Sequence, residues 1–231
     1  IAGSYAYVKT STDGGATWVD RTSASGSTRY MYALAIGPSD QILGTGQLGY
    51  IRTSTDGGAT WVDRTTAASG GTLEIKGCAI GPSGQMLVVG EAGYCQSSTD
   101  GGSTWTDRNA ATGVGSAAMM SCAIGPSGEM SIVGVSVNRT STDGGASWTD
   151  RHAASGAGTA GIEAVTIGPT GQMLVAGNGY LSASTDGGAT WTDLLSYAPT
   201  GTLYACWTAP GGESLVGGAA GYLQTNETYS Y

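Results

Sequence analysis

Phenylalanine is absent from this chain of 231 residues, and histidine occurs once, as His152. Charge is scarce as well. Nine Lys and Arg against 17 Asp and Glu leave only 11% of residues charged, where ~25% is usual. A single histidine excludes a Ser-His-Asp arrangement with a spare base, and it leaves no zinc site. The four cysteines contain no Cys-x-x-Cys pair, so the common zinc and redox motifs are missing too. The formal charge of −8 comes without any basic stripe, which gives nucleic-acid phosphates little to hold and makes nucleic acid an unexpected partner. No apolar run approaches the ~18 residues of a membrane helix, so no membrane span is expected. No signal peptide is visible, although the chain starts at Ile1 without Met and fits a trimmed product. An extracellular or cell-surface setting is the favoured expectation, since a leader could have been removed.

Glycine is what the chain has in quantity, at 41 residues, with Ser, Thr and Ala filling much of the rest. Such a composition alone would fit disorder. A strict period argues otherwise. The phrase Ser11-Thr12-Asp13-Gly14-Gly15-Ala16-Thr17-Trp18 returns at residues 54–61, 98–105, 141–148 and 184–191. Its tryptophans, Trp18, Trp61, Trp105, Trp148 and Trp191, are 43, 44, 43 and 43 residues apart. A fixed period of this size marks a repeat architecture. The phrase also has a local physical logic. The aspartate can accept bonds from backbone N–H groups just downstream and close an Asx-type turn. Two glycines allow positive φ, and the tryptophan returns the chain to apolar surroundings.

The phrase resembles the Asp-box, or BNR repeat, of pattern Ser/Thr-x-Asp-x-Gly-x-x-Trp, and all five copies fit it. The Gly-Tyr-x-x-x-Ser-Thr-Asp-Gly-Gly-x-Thr-Trp form is similar to repeats of photosystem II assembly factors. Asp-boxes also occur in sialidases, xyloglucanases and sortilin-like receptors. The resemblance implies an all-β fold, a β-propeller with the box in the turn between the third and fourth strand of each blade. It also implies that the box residues Asp13, Asp56, Asp100, Asp143 and Asp186, with their tryptophans, are structural and lie away from the ligand face.

The rest of the repeat supplies four short strands. In the first full unit they are A (residues 32–36), B (41–45), C (49–53) and D (60–64). Gly-Pro turns such as Gly81-Pro82-Ser83-Gly84 join A to B, with Pro presetting φ and Gly turning the corner. Four strands per ~40–45 residues is the size of a propeller blade. Strand A alternates a large face (Leu34, Ile36) with a small one (Ala33, Ala35), the complementarity that close packing between neighbouring sheets needs. Cys78, Cys122 and Cys206 fall at the position of Leu34 and Val165, and Cys95 at that of Ile51; free, buried thiols are expected there. The expectation is one domain over residues 1–231, a five-bladed propeller with four-stranded antiparallel blades. Residues 17–21 should supply the D strand of the C-terminal unit and close the ring. Trp207, on the small face, should mark that seam against Tyr32 and Leu34. The surplus C-like strand leaves a monomer or a strand-swapped homo-oligomer open.

Functional residues are sought where near-identical units differ. The segments just before strand A differ most, and loops on rigid scaffolds often carry recognition. Arg29, Tyr30, Glu74, Lys76, Met119, Glu163 and Tyr204 are therefore the candidate ligand contacts, on the face carrying the D–A and B–C connections. No catalytic residue, metal or cofactor is expected. One carboxylate per box falls short of calcium's ligand count. A glycosidase needs two carboxylates ~5–10 Å apart, which the sequence does not place. The Asp-Arg pairs after the tryptophans (Asp20-Arg21, Asp63-Arg64, Asp107-Arg108, Asp150-Arg151) read as surface or inter-blade ion pairs. Asn138-Arg139-Thr140 and Asn226-Glu227-Thr228 have the form of glycosylation sequons. A non-catalytic binding module for a glycan or protein partner leads; a structural or assembly component and an Asp-box glycoside hydrolase are the alternatives.

Overall fold

The computed structural model describes residues 2–3, 5, 7–22, 28–158, 161–194, 201–209 and 211–225. Their strands form antiparallel sheets that follow one another along the chain. The first is a hairpin of β1 (Lys9–Thr10) and β2 (Val19–Asp20) around the first box. Four sheets of four strands follow. They are β3 (Met31–Ile36), β4 (Ile42–Gly46), β5 (Ile51–Ser54) and β6 (Val62–Asp63); β7 (Ile75–Ile80), β8 (Met86–Gly90), β9 (Cys95–Ser98) and β10 (Thr106–Asp107); β11 (Met119–Ile124), β12 (Met130–Gly134), β13 (Val137–Ser141) and β14 (Thr149–Asp150); and β15 (Ile162–Ile167), β16 (Met173–Gly177), β17 (Tyr180–Ser184) and β18 (Thr192–Asp193). The last sheet has three described strands, β19 (Leu203–Thr208), β20 (Ser214–Gly218) and β21 (Leu223–Thr225). Two single-turn helices, α1 (Asn109–Thr112) and α2 (His152–Ser155), sit in D–A connections.

The A strands β3, β7, β11, β15 and β19 pack one against the next, so they gather at the centre. The two-residue D strands β6, β10, β14 and β18 are exposed at the rim. The B strands β4, β8, β12 and β16 are buried at every position. A strand with a sheet on either side has no solvent face, which is why these strands lack apolar–polar alternation. The interlocking of large and small faces is specific. Cys78 Sγ donates to Leu43 O of the preceding sheet at 3.5 Å, Cys122 Sγ to Leu87 O at 3.7 Å and Cys206 Sγ to Leu174 O at 3.6 Å. All four cysteines are free.

The expected closure is not seen among the described residues. Residues 17–21 contribute β2, and β2 pairs with β1 and not with the C-terminal sheet. The described residues thus form six sheets, counting the hairpin, and the expected pairing of residues 17–21 with the last sheet is not among them. A turn of a few residues has a low closure entropy, whereas joining the chain ends closes the longest loop available. Trp207 is also placed differently from expectation. It is 55% exposed on the outward face of the last sheet, and β19 packs on β15 and β16. Of the two sequons, Asn138 is fully buried and out of reach of glycosylation, and residues 226–228 lie outside the described residues.

Candidate functional site

Every A strand carries an irregularity at the same place. The register with strand B slips between Met31 and Ala33, Ile75 and Gly77, Met119 and Ser121, Ile162 and Ala164, and Leu203 and Ala205. The extra residue in each bulge is Tyr32, Lys76, Met120, Glu163 or Tyr204. A bulge re-aims a side chain out of the ladder, and these five are exposed or half-buried among otherwise packed strands. The glycine ending strand B makes the geometry possible. A Cβ at Gly46, Gly90, Gly134 or Gly177 would lie 2.0–2.3 Å from the carbonyl oxygen of Tyr30, Glu74, Ala118 or Gly161. Only glycine admits the bulged strand so closely.

The bulges sit at the end of the sheets that carries the D–A and B–C connections. Those connections are stitched between neighbouring units: Gly49 N donates to Leu73 O at 2.6 Å and Gly93 N to Ala117 O at 3.1 Å. The Tyr94 hydroxyl donates to Ala68 O at 2.6 Å, holding one unit against the preceding connection. The variable side chains therefore stand on a fixed frame.

Around the first two sheets the row becomes a connected cluster. The Tyr32 hydroxyl donates to Glu74 Oε2. That bond pushes the Tyr32 phenol up to about 12, keeping it a neutral donor. Lys76 Nζ lies 3.4 Å from Glu91 Oε1 and 5.3 Å from the Tyr32 ring centroid. Tyr30 stacks at a tilt on Tyr5, ring centroids 5.6 Å apart, and its hydrogen bond to Tyr5 raises its pKa. Arg29 Nη1 donates to Leu48 O at 2.9 Å, so it braces the B–C connection.

Of the candidates, Lys76, Glu163 and Tyr204 occupy bulge positions, and Glu74 touches Tyr32. Met119 does not belong to the surface: it is 0% exposed and packs with Val89, Cys122 and Met130 in the core. Its neighbour Met120 takes the bulge. Met120 lies one position from the candidate Met119, and Tyr32 two from the candidate Tyr30. The glycine at the end of every strand B was the available signal, since a small residue there marks close backbone approach.

The opposite end of the sheets carries the box turns, and their carboxylates are fully engaged. In the second copy Ser54 Oγ donates to Asp56 Oδ1 at 2.8 Å, Thr60 N to the same oxygen at 2.8 Å, and Thr60 Oγ1 to Asp56 Oδ2 at 2.7 Å. These bonds, led by the threonine hydroxyl, hold Asp56 at about 2, and the other four box aspartates are held alike. The indoles of Trp61, Trp105, Trp148 and Trp191 donate to the second box glycine at 2.9–3.1 Å.

The Asp-Arg pairs after the boxes are not ion pairs with each other. Arg64 Nε donates to Thr53 Oγ1 at 3.0 Å and Arg108 Nε to Ser97 Oγ at 2.9 Å. The aspartates pair instead across strands C and D, Arg52 with Asp63 and Arg139 with Asp150, both at 3.1 Å. Adjacent residues of a strand point to opposite faces, so Asp63 and Arg64 cannot meet. Among the described residues no group of three or more His, Cys, Asp or Glu could hold a metal ion. No described helix is long and apolar enough to cross a membrane.

No protein-family model matches the chain, and no curated protein matches it in sequence. Solved structures do. The chain is similar to YCF48 bound to D1 peptide, with a TM-score of 0.66 at 16% identity over 87% of its length. It is similar to the WD40 repeats of RRP9, with a TM-score of 0.68 at 10% identity over 97%. The fold is that of a β-propeller. A GH74 enzyme from Niastella koreensis also matches, with a TM-score of 0.63 at 21% identity over 85% of this chain. This propeller chain spans 66% of the YCF48 chain, 71% of the RRP9 chain and 30% of the GH74 enzyme.

Proposed function

We propose that this propeller is a non-catalytic recognition module that binds an extended segment of a protein partner along its row of bulged side chains. One observation carries the reading. The five A strands repeat the same backbone, bulge and glycine included, yet fill the bulge with Tyr, Lys, Met, Glu and Tyr. A position serving only packing would be filled alike in each unit, as the box positions are. Two exposed tyrosines at the ends of the row, with Lys76, Met120 and Glu163 between, offer aromatic anchors among polar and flexible contacts, a mixture suited to a peptide. The peptide-bound YCF48 structure supports the reading, because its fold is shared.

Selection from a displayed library of linear peptides, run beside a glycan array, tests this. Selected peptides should bind the purified protein and lose about tenfold or more in affinity to a Tyr32→Ala/Tyr204→Ala variant, the loss of roughly one contact worth 1.4 kcal/mol. Peptides that bind the double variant as tightly would remove the bulge row from the site. Binding confined to glycans would favour a lectin-like module instead.

A further inference from the structure

We propose that the seam between the β11–β14 sheet and the β15–β18 sheet is a binding site for ordered water, held by Asn138, Ser131 and His152. The other seams set the pattern that this one breaks. Their strands B and C face the following sheet with apolar pairs: Leu43 and Ile51, Leu87 and Cys95, Leu174 and Leu181. The β11–β14 sheet has Ser131 and Asn138 at those two positions, both fully buried. Both face the following sheet. Asn138 pairs with Val133 and Ser131 with Thr140, and directly opposed residues share a face. Val133 packs with Val165 and Val175 of that next sheet. Thr140 Cγ2 lies 3.4 Å from where a Cβ on its Gly188 would stand.

Polar residues in these places bring hydrogen-bonding groups that the other seams lack. Neither Asn138 Oδ1 nor Asn138 Nδ2 has a partner within the protein, and Ser131 Oγ has none either. A third group joins them. His152 is the counterpart of Asn109, whose Oδ1 accepts from Cys95 N at 2.6 Å, and of Thr65, whose Oγ1 accepts from Ile51 N at 3.4 Å. Cys95 and Ile51 are the counterparts of Asn138, so His152 stands beside the strand position that Asn138 holds. Its Nε2 donates to Gly158 O at 2.5 Å, which leaves Nδ1 an acceptor in the neutral ring. That Nδ1 is buried without a protein partner. The set thus mixes donors and acceptors, and left unpaired each would carry its full desolvation cost. Water both donates and accepts, and a buried water typically makes about three such bonds. The connection carrying His152 also covers the seam. The Tyr180 hydroxyl donates to Ser155 O, and Ala157 packs on the cluster around Val133. A covered site suits water and excludes a partner's side chain. The water ties His152 to β12 and β13. Its connection leads into β15, whose bulge presents Glu163, so the site braces that part of the row whatever the row binds.

A high-resolution crystal structure and oxygen-17 relaxation dispersion of water test the site. They compare the wild type with a Ser131→Leu/Asn138→Leu variant, which restores the apolar pair of the other seams. The wild-type map should show ordered water within hydrogen-bond distance of the Asn138 amide and His152 Nδ1. The dispersion amplitude should fall in the variant by about one long-lived water or more. Hydrogen exchange at Ser155 and Gly156 should be up to about tenfold faster in the variant, the loss of roughly one hydrogen bond, and unchanged in β12 and β13. Should the double variant misfold, Asn138→Leu alone serves, since Leu181 fills the same place in the next sheet. An Asn138 amide bonded directly to protein atoms would overturn the proposal. So would density for a molecule larger than water, or equal dispersion amplitudes in the two proteins. Unchanged exchange at Ser155 and Gly156 would overturn the bracing role.

Discussion

Trp105 and Trp18 hold the same place in the repeat and differ in what stands before them. Trp105 packs among Leu43, Ile51, Ile75, Met86 and Val88, drawn from its own sheet and the preceding one. Trp18 has only a groove in front of it and is 45% exposed. Trp105→Ala should cost about 3 kcal/mol by lost burial and a cavity, and Trp18→Ala about 1 kcal/mol or less. Urea unfolding of both variants checks this; equal costs would mean that the preceding sheet contributes nothing to the tryptophan's setting. The two adjacent methionines make a second pair. Met119→Ala removes a core side chain and should cost about 2–5 kcal/mol, while Met120→Ala should leave stability nearly unchanged and alter peptide binding. The thiols are a third case. Burial pushes Cys78, Cys95 and Cys206 up to about 12 and Cys122 well above its ordinary value. The folded chain should therefore resist alkylation at pH 8, and rapid iodoacetamide labelling of the native protein would contradict their placement.

The box turn is the element on which pH acts. Each of the five aspartates has its folded pKa lowered from 3.8 to about 2 by bonds to its own turn. A lowered folded pKa means that the unfolded chain takes up protons first on acidification. The stabilisation is thus complete above the unfolded value near 4 and is lost as pH falls toward 2. Thermal melts should show Tm falling steeply between pH 4 and pH 2. The fall should be shallower in a variant with Asp100→Asn and Asp143→Asn, whose own Tm at pH 7 is lower. A wild-type Tm constant across that window would show the turn bonds to be energetically idle. The A-strand bulge is the other element of consequence. It rests on a glycine of the adjacent strand, where Gly90 pairs with Ile75, so Gly90→Ala should disrupt the Lys76 position without touching Lys76 itself.

For the whole molecule, stability follows from stacking. Sheets contact mainly their neighbours, as repeat units do, and the outermost units have one neighbour each. Hydrogen exchange should therefore be slowest in β8, β12 and β16, and fastest in β1, β2 and β21. Uniform protection from end to end would indicate a closed ring.

The 43-residue period, the box chemistry and the large and small faces of strand A were legible in the sequence, because turns and strand faces are local. Ser, Asp and Thr within seven residues can reach one another in any fold that makes the turn, and alternation along a strand needs no partner to be read. The position of the bulge was legible only to within a residue: Met119 and Met120 are chemically identical, and register against strand B decides which is core. Closure was not legible at all. Whether residues 17–21 join β1 or β21 depends on the accumulated angle over successive sheets and on a competition between a short loop and a long one. The sequence offers both partners, and the tertiary structure chooses the nearer.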